Sequence, residues 1–123
     1  AGGGQARQVV GASPSWCPRD VRAFVGVSGA YDLEGLAEHL HRRGLYKNLF
    51  CQIMSIDGVP ALHELSPLCA ARSWGKGSAA VAHMPRVVLV HGTSDKSAPH
   101  EGSVQVHEAL QGLCARRWLA RRA

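Results

Sequence analysis

Two short apolar runs separated by helix-period repeats organise this chain. Val21 to Val27 (VRAFVGV) is apolar and β-branched, is bounded by Pro18 and Gly29, and predicts a buried strand. Val87-Val88-Leu89-Val90, within Arg86–Val90, predicts a second strand. Between them Asp32 is placed to cap a helix whose Leu33, Leu36, Ala37 and Leu40 share one face, with Gly44 as the stop. Tyr46, Leu49, Phe50, Ile53 and Met54 mark one side of a second helix ahead of an Asp57-Gly58 turn. Pro60 to Leu65 predicts a short helix broken by Ser66-Pro67, and residues 73–80 read as loop. From about Glu101 a last helix turns Val106, Leu110, Leu113, Cys114 and Trp118 inward. Residues 1–19, rich in Gly, Ser and Pro, predict a linker or loop ahead of one unit spanning 20–123.

Strand, helices, strand, helix is the pattern of a right-handed crossover, which implies an α/β fold with parallel strands. The connection is longer than one crossover helix requires, so 33–80 reads as an insertion. The second strand runs directly into His91-Gly92-Thr93-Ser94-Asp95-Lys96-Ser97-Ala98-Pro99. Gly lets the chain turn sharply and Pro pre-sets φ for a helix start, so the turn holds one carboxylate, Asp95, at the C-terminal edge of the sheet. Open α/β folds place their chemistry at that edge. Asp95 as a mere turn stabiliser is the competing reading.

Composition narrows the classes. With 123 residues and 46% apolar content the chain can build one small core. It begins with Ala and ends Arg-Arg-Ala out of a helical pattern, as a piece cut from a longer protein would. Of fourteen basic residues, six lie in Arg42-Arg43 and in the tail Arg116, Arg117, Arg121 and Arg122, which gives most of the net charge of +5. With two Phe and two Tyr for stacking and no RNA-binding signature, the tail reads as a solvated helix end and no nucleic-acid partner is expected. Cys17, Cys51, Cys69 and Cys114 are too scattered for a zinc motif or a disulfide scaffold and read as buried thiols in a reducing compartment. No apolar stretch approaches the ~20 residues that span a bilayer.

Three segments carry a family resemblance: Phe24 to Leu33 (FVGVSGAYDL), Glu38 to Phe50 (EHLHRRGLYKNLF) and the His91–Pro99 turn. Their order and spacing resemble the isoprenylcysteine methylesterases, α/β-hydrolases related to the broader carboxylesterases, from about Val21 to about Leu110. The resemblance implies a partial α/β-hydrolase fold: late parallel strands, crossover helices and a helical lid formed by the insertion. It implies hydrolysis of the C-terminal methyl ester of a prenylated protein by serine acyl transfer, with no cofactor. The substrate partner would be a prenylated protein or prenylcysteine methyl ester. The full-length parent would sit at an endoplasmic reticulum or Golgi membrane, or else in the cytoplasm. Asp95 matches the acid that orients the catalytic His. The family's Gly-x-Ser-x-Gly nucleophile and its late His have no counterpart here. Kynurenine formamidases and acylaminoacyl-type peptidases share the late-strand layout, and a hydrolase-like module that binds without catalysis is a further alternative.

Other candidates are weaker. Gly26-Val27-Ser28-Gly29 resembles a nucleophile elbow, but position 30 is Ala and Tyr31-Asp32 restarts the chain where a long buried helix should follow. A His partner for Ser28 would have to be His100 or His107, on a helix expected to pack away from the site. Glu38, His39 and His41 resemble a metal cluster, yet positions two apart on a helix point about 200° from each other, so no metal is expected there. His91 is placed to brace the acid turn. Tyr31, Leu45, Tyr46, Leu49, Phe50 and Met54 suit either an apolar trough or ordinary core.

Overall fold

The computed structural model describes residues 15–114. A 3-10 turn, Pro18–Asp20, leads into strand β1, Ala23–Val27, and helix α1, Leu33–Arg42, follows. Helix α2 is Lys47–Ile53, and a hairpin follows from β2, Ser55–Ile56, and β3, Val59–Pro60. Three short helices come next: α3 Leu62–Leu65, α4 Pro67–Ser73 and α5 Ala79–Ala82. Strand β4, Arg86–Val90, and helix α6, Glu101–Leu113, complete the described residues.

β1 and β4 pair in parallel, Ala23 opposite Arg86 and Val27 opposite Val90. The α/β layout read from the sequence is therefore present, with the long connection crossing from one strand to its neighbour. The ladder extends one step earlier, Arg86 N–H donating to the Arg22 carbonyl at 3.1 Å. Val21 instead closes the 3-10 turn by donating to Pro18, so β1 starts two residues later than the predicted Val21.

Local chemistry sets the other boundaries. The Asp32 carboxylate accepts from the Gly35 amide at 3.0 Å and caps α1, while His39, His41 and Arg42 in the last turn suit the negative end of its dipole. Gly44, at φ +68, takes the left-handed conformation that ends the helix region. Asp57 and Gly58 both have positive φ, 51 and 77, as a two-residue hairpin turn needs, so the Asp-Gly turn closes β2 onto β3. That pairing draws Pro60 into a strand, and the helix predicted from Pro60 begins only at Leu62. Pro67 breaks α3 and, with its φ preset, opens α4 as the first helical residue. The loop reading of 73–80 is also corrected at both ends: Ser73 closes α4, and the Ser78 hydroxyl accepts from the Val81 amide and starts α5.

The core lies where α4 and α6 pack on the strand pair. Tyr31, Leu68 and Val106 form it, with Leu89, Ala109 and Leu110 against them. Ser66, 1% exposed, ties this core to α1. Its hydroxyl donates to the Tyr31 carbonyl at 2.9 Å and lies 3.4 Å from the Leu33 amide. The inward Val106 and Leu110 of the last helix are as predicted, while Trp118 lies outside the described residues.

Two burial expectations are overturned. In β1 only Gly26 is buried, and Phe24, Val25 and Val27 are exposed, as are Val88 and Val90 on β4. Among the described residues the sheet has two strands and helices cover only part of it, so the apolar runs are not enclosed. The cysteines are half-buried and unpaired, not buried.

Candidate active site

The His91–Pro99 turn begins where β4 ends, and its conformation comes from its own side chains. Asp95 Oδ1 accepts from the Ser97 amide at 2.8 Å and the Ala98 amide at 3.1 Å, a turn that Asp is suited to form. Oδ2 is 3.3 Å from His91 Nε2. The Ala98 amide, then that of Ser97, hold the Asp95 carboxyl below the usual carboxylate range, with smaller help from His91 and the Ser28 hydroxyl. Asp95 is thus an ionised acceptor with one oxygen committed to the backbone and the other much less so.

His91 is the brace behind it. Its side chain is 4% exposed. Nε2 donates to the Ala98 carbonyl at 2.9 Å, which leaves Nδ1 to accept from the Ser103 hydroxyl at 2.6 Å. This tautomer follows from the hydrogen-bond network, since a carbonyl can only accept. With both nitrogens engaged, His91 has none free to exchange protons with a substrate. Ser103 sits on α6, twelve residues on, and no spacing rule in the sequence connects it to His91.

Ser103→Ala is expected to leave His91 Nδ1 buried without a partner and to cost about 1–3 kcal/mol of stability. Urea titration of the 123-residue chain measures it, and an unchanged midpoint would remove the brace from this account.

A second tie holds the acid turn from α1. His39 Nε2 donates to the Lys96 carbonyl at 2.8 Å, and Arg43 Nη1 donates to the same oxygen. Glu38 goes elsewhere, pairing with Lys47 at 3.0 Å, and the Lys47 ammonium holds its carboxyl below the usual range. Glu38, His39 and His41 therefore serve separate partners or solvent, as the helix geometry predicts.

Between α1 and the acid turn lies an open cleft of about 450 Å³ lined by Tyr31, Leu36, His39, Arg42, Thr93 and Asp95, among others. His100 lines it too, with Nδ1 3.5 Å from Glu101, so the expectation that His100 packs away from the site is corrected. His107 is exposed on α6. Tyr31 is core rather than open trough. Its ring lies so close to β1 that a Cβ at Gly26 would fall on its hydroxyl and one at Gly29 on its ring, which is why glycine stands at both. Burial pushes the Tyr31 hydroxyl's pKa up.

Ser28 follows β1 at φ 51, exposed, with its amide donating to the Val90 carbonyl at 2.8 Å. Four residues separate it from α1, so the strand-to-helix junction of an elbow is not formed. Leu45, Tyr46 and Leu49 are exposed, and with His41 they line a shallower second cleft of about 460 Å³. Phe50 and Met54 are half-buried. Of the predicted trough residues, then, three face solvent at one place, two are partly covered and one is core.

A parallel strand pair joined by a helical crossover, with an acid turn after the later strand, defines the chain as a mixed α/β protein consistent with part of an α/β-hydrolase fold. Comparison with known proteins makes this particular. The chain is 40% identical over 101 residues to a probable isoprenylcysteine alpha-carbonyl methylesterase, ICMEL1, of Oryza sativa subsp. japonica, a match over 82% of this chain and 23% of that protein. It is 39% identical over 101 residues to the probable methylesterase ICMEL2 of Arabidopsis thaliana, with the same coverage of each. To the isoprenylcysteine alpha-carbonyl methylesterase ICME of Arabidopsis thaliana it is 36% identical over 110 residues, 89% of this chain and 25% of that one. The chain is homologous to part of the isoprenylcysteine alpha-carbonyl methylesterases, and it spans about a quarter of the length of the relatives it matches. No family model matches it, and neither does any solved structure.

Proposed function

We propose that this chain supplies the acid-bearing part of a serine carboxylesterase that hydrolyses the methyl ester of a prenylated C-terminal cysteine. The observation that carries the reading is the Asp95 carboxylate: ionised, fixed by two amides through Oδ1, at the C-terminal end of a parallel strand and on the wall of a cleft. A carboxylate so held can accept from the Nδ1–H of a second imidazole and stabilise it as it takes up the nucleophile's proton. His91 cannot be that imidazole, because both its nitrogens are engaged. The nucleophilic Ser and the base would come from outside these 123 residues, which contain no Gly-x-Ser-x-Gly.

Residues 33–80 would act as the lid, and the exposed Leu45, Tyr46 and Leu49 would meet the prenyl chain. An apolar chain recovers about 25 cal/mol for each Å² it removes from water there. Among the described residues no helix is long and apolar enough to cross a membrane. Residence of the full-length enzyme at an endoplasmic reticulum or Golgi membrane belongs to the same proposal.

The test is hydrolysis by a full-length esterase that carries this segment. Prenylcysteine methyl ester should be cleaved with sensitivity to a serine-directed inhibitor, and residues 1–123 alone should release no methanol. Preferred cleavage of an N-formylkynurenine or a peptide amide would overturn the substrate. Retained binding of the prenylated ester without turnover would make the protein a binding module instead.

A further inference from the structure

Glu34, His63 and Cys69 are twenty-nine and six positions apart in sequence and take no part in the Asp95 site, yet the fold gathers them. One ligand atom from each, a carboxylate oxygen, an imidazole nitrogen and the thiol sulfur, lies within 4.8 Å of the other two. They stand on three different helices, α1, α3 and α4. We propose that these three side chains form a binding site for Zn²⁺ or a similar borderline divalent ion, with the fourth position left to water.

Ligand chemistry supports the choice of ion. Thiolate, imidazole and carboxylate are the three donor types that Zn²⁺ accepts, at about 2.3, 2.0 and 2.0–2.2 Å. Around a tetrahedral ion those lengths put neighbouring donors roughly 3.3–3.7 Å apart. Glu34 Oε2 and His63 Nδ1 are already 3.9 Å apart. The remaining closure, about 1 Å at the widest pair, is within reach of side-chain rotation, because Glu34 and His63 are exposed and Cys69 is half-buried. A hard ion such as Mg²⁺ would demand an octahedral oxygen shell, and one carboxylate does not supply it.

Backbone placement makes the cluster more than a chance meeting of surface groups. His63 and Cys69 flank Ser66, whose buried hydroxyl donates to the Tyr31 carbonyl and approaches the Leu33 amide. The Leu68 amide also donates to the Tyr31 carbonyl, at 2.9 Å. These bonds fix the α3–α4 junction against the start of α1 one residue from Glu34. The ion would bridge the same three helices from outside, with Cys69 giving up its proton to solvent on binding.

The test uses the 123-residue chain with Zn²⁺ alone and reads alkylation of each cysteine by mass spectrometry. Cys17, Cys51 and Cys114 serve as references within the same molecule. At ten times the dissociation constant about one site in eleven stays free, so Cys69 alkylation should slow about tenfold while the references hold their rates. Glu34→Gln and His63→Ala, both at exposed positions, should each remove most of that protection. Titration with Co²⁺ should give a thiolate-to-metal absorption band that Cys69→Ser abolishes with the other three thiols intact. Equal Cys69 rates with and without Zn²⁺, undiminished protection in either variant, or a Co²⁺ band surviving in Cys69→Ser would each overturn the site. None of these readouts depends on esterase activity.

Discussion

Asp95→Asn, placed in a full-length esterase that carries this segment, is expected to lower kcat by about three to four orders of magnitude with little change in KM. The Asn oxygen can still accept from the Ser97 and Ala98 amides that Oδ1 serves now, so the turn keeps its shape. Its NH₂ then stands where Oδ2 was, 3.3 Å from a His91 Nε2 that is itself a donor. A catalytic imidazole docking there would meet a donor instead of an acceptor. It would adopt the tautomer that cannot take the Ser proton, and its imidazolium would lose the facing negative charge. The variant should keep the wild-type circular dichroism spectrum, because the loss is electrostatic. Turnover within tenfold of wild type would take Asp95 out of the catalytic machinery and leave it as a turn residue.

Leu68→Ala is expected to cost about 2–5 kcal/mol, the range for emptying a fully enclosed aliphatic site. Leu68 is 2% exposed between Tyr31 and Val106, at the contact of α4 with α6. Small domains have about 5–15 kcal/mol in total, so this one change should remove much of the cooperative transition in a urea melt of the 123-residue chain. Val25→Ala, on the exposed face of β1, should cost less than about 1 kcal/mol in the same chain, since little burial is lost. The two variants together test where the core is. If Val25→Ala proved as costly as Leu68→Ala, something would cover β1 in solution, and the helix-side core described here would not be the main one.

Much of the fold is legible in the amino-acid order, and for local reasons. The two β-branched runs, the Asp32 cap, the Gly44 stop and the Asp57-Gly58 turn are all encoded within a few residues of where they act. The parallel pairing of Ala23–Val27 with Arg86–Val90 follows from the helical connection between them, because a long crossover brings the second strand in beside the first in the same direction. Short elements were harder to read. Periodicity needs several turns to show, so α4, with seven residues, and α5, with four, carry too little pattern to separate them from loop. Pro60 misled because hairpin pairing with Ser55 outweighed its preference for a helix start.

The sequence by itself determined which carboxylate ends the late strand, the turn that holds it, the parallel α/β layout and the likeness to the methylesterases. Each depends on neighbours in the chain or on motif order. Only the tertiary structure decided what surrounds that carboxylate. Ser103 from α6 engages Nδ1 of His91, and His39 of α1 and Arg43 just after it hold the Lys96 carbonyl. It also decided that Tyr31 is core while Leu45, Tyr46 and Leu49 face solvent, and that Glu34, His63 and Cys69 meet. The hydrogen bonds among these join residues twelve to fifty-seven positions apart. Which residues meet at such separations depends on how the helices pack around Leu68 and Ser66, and no period or spacing along the chain records it.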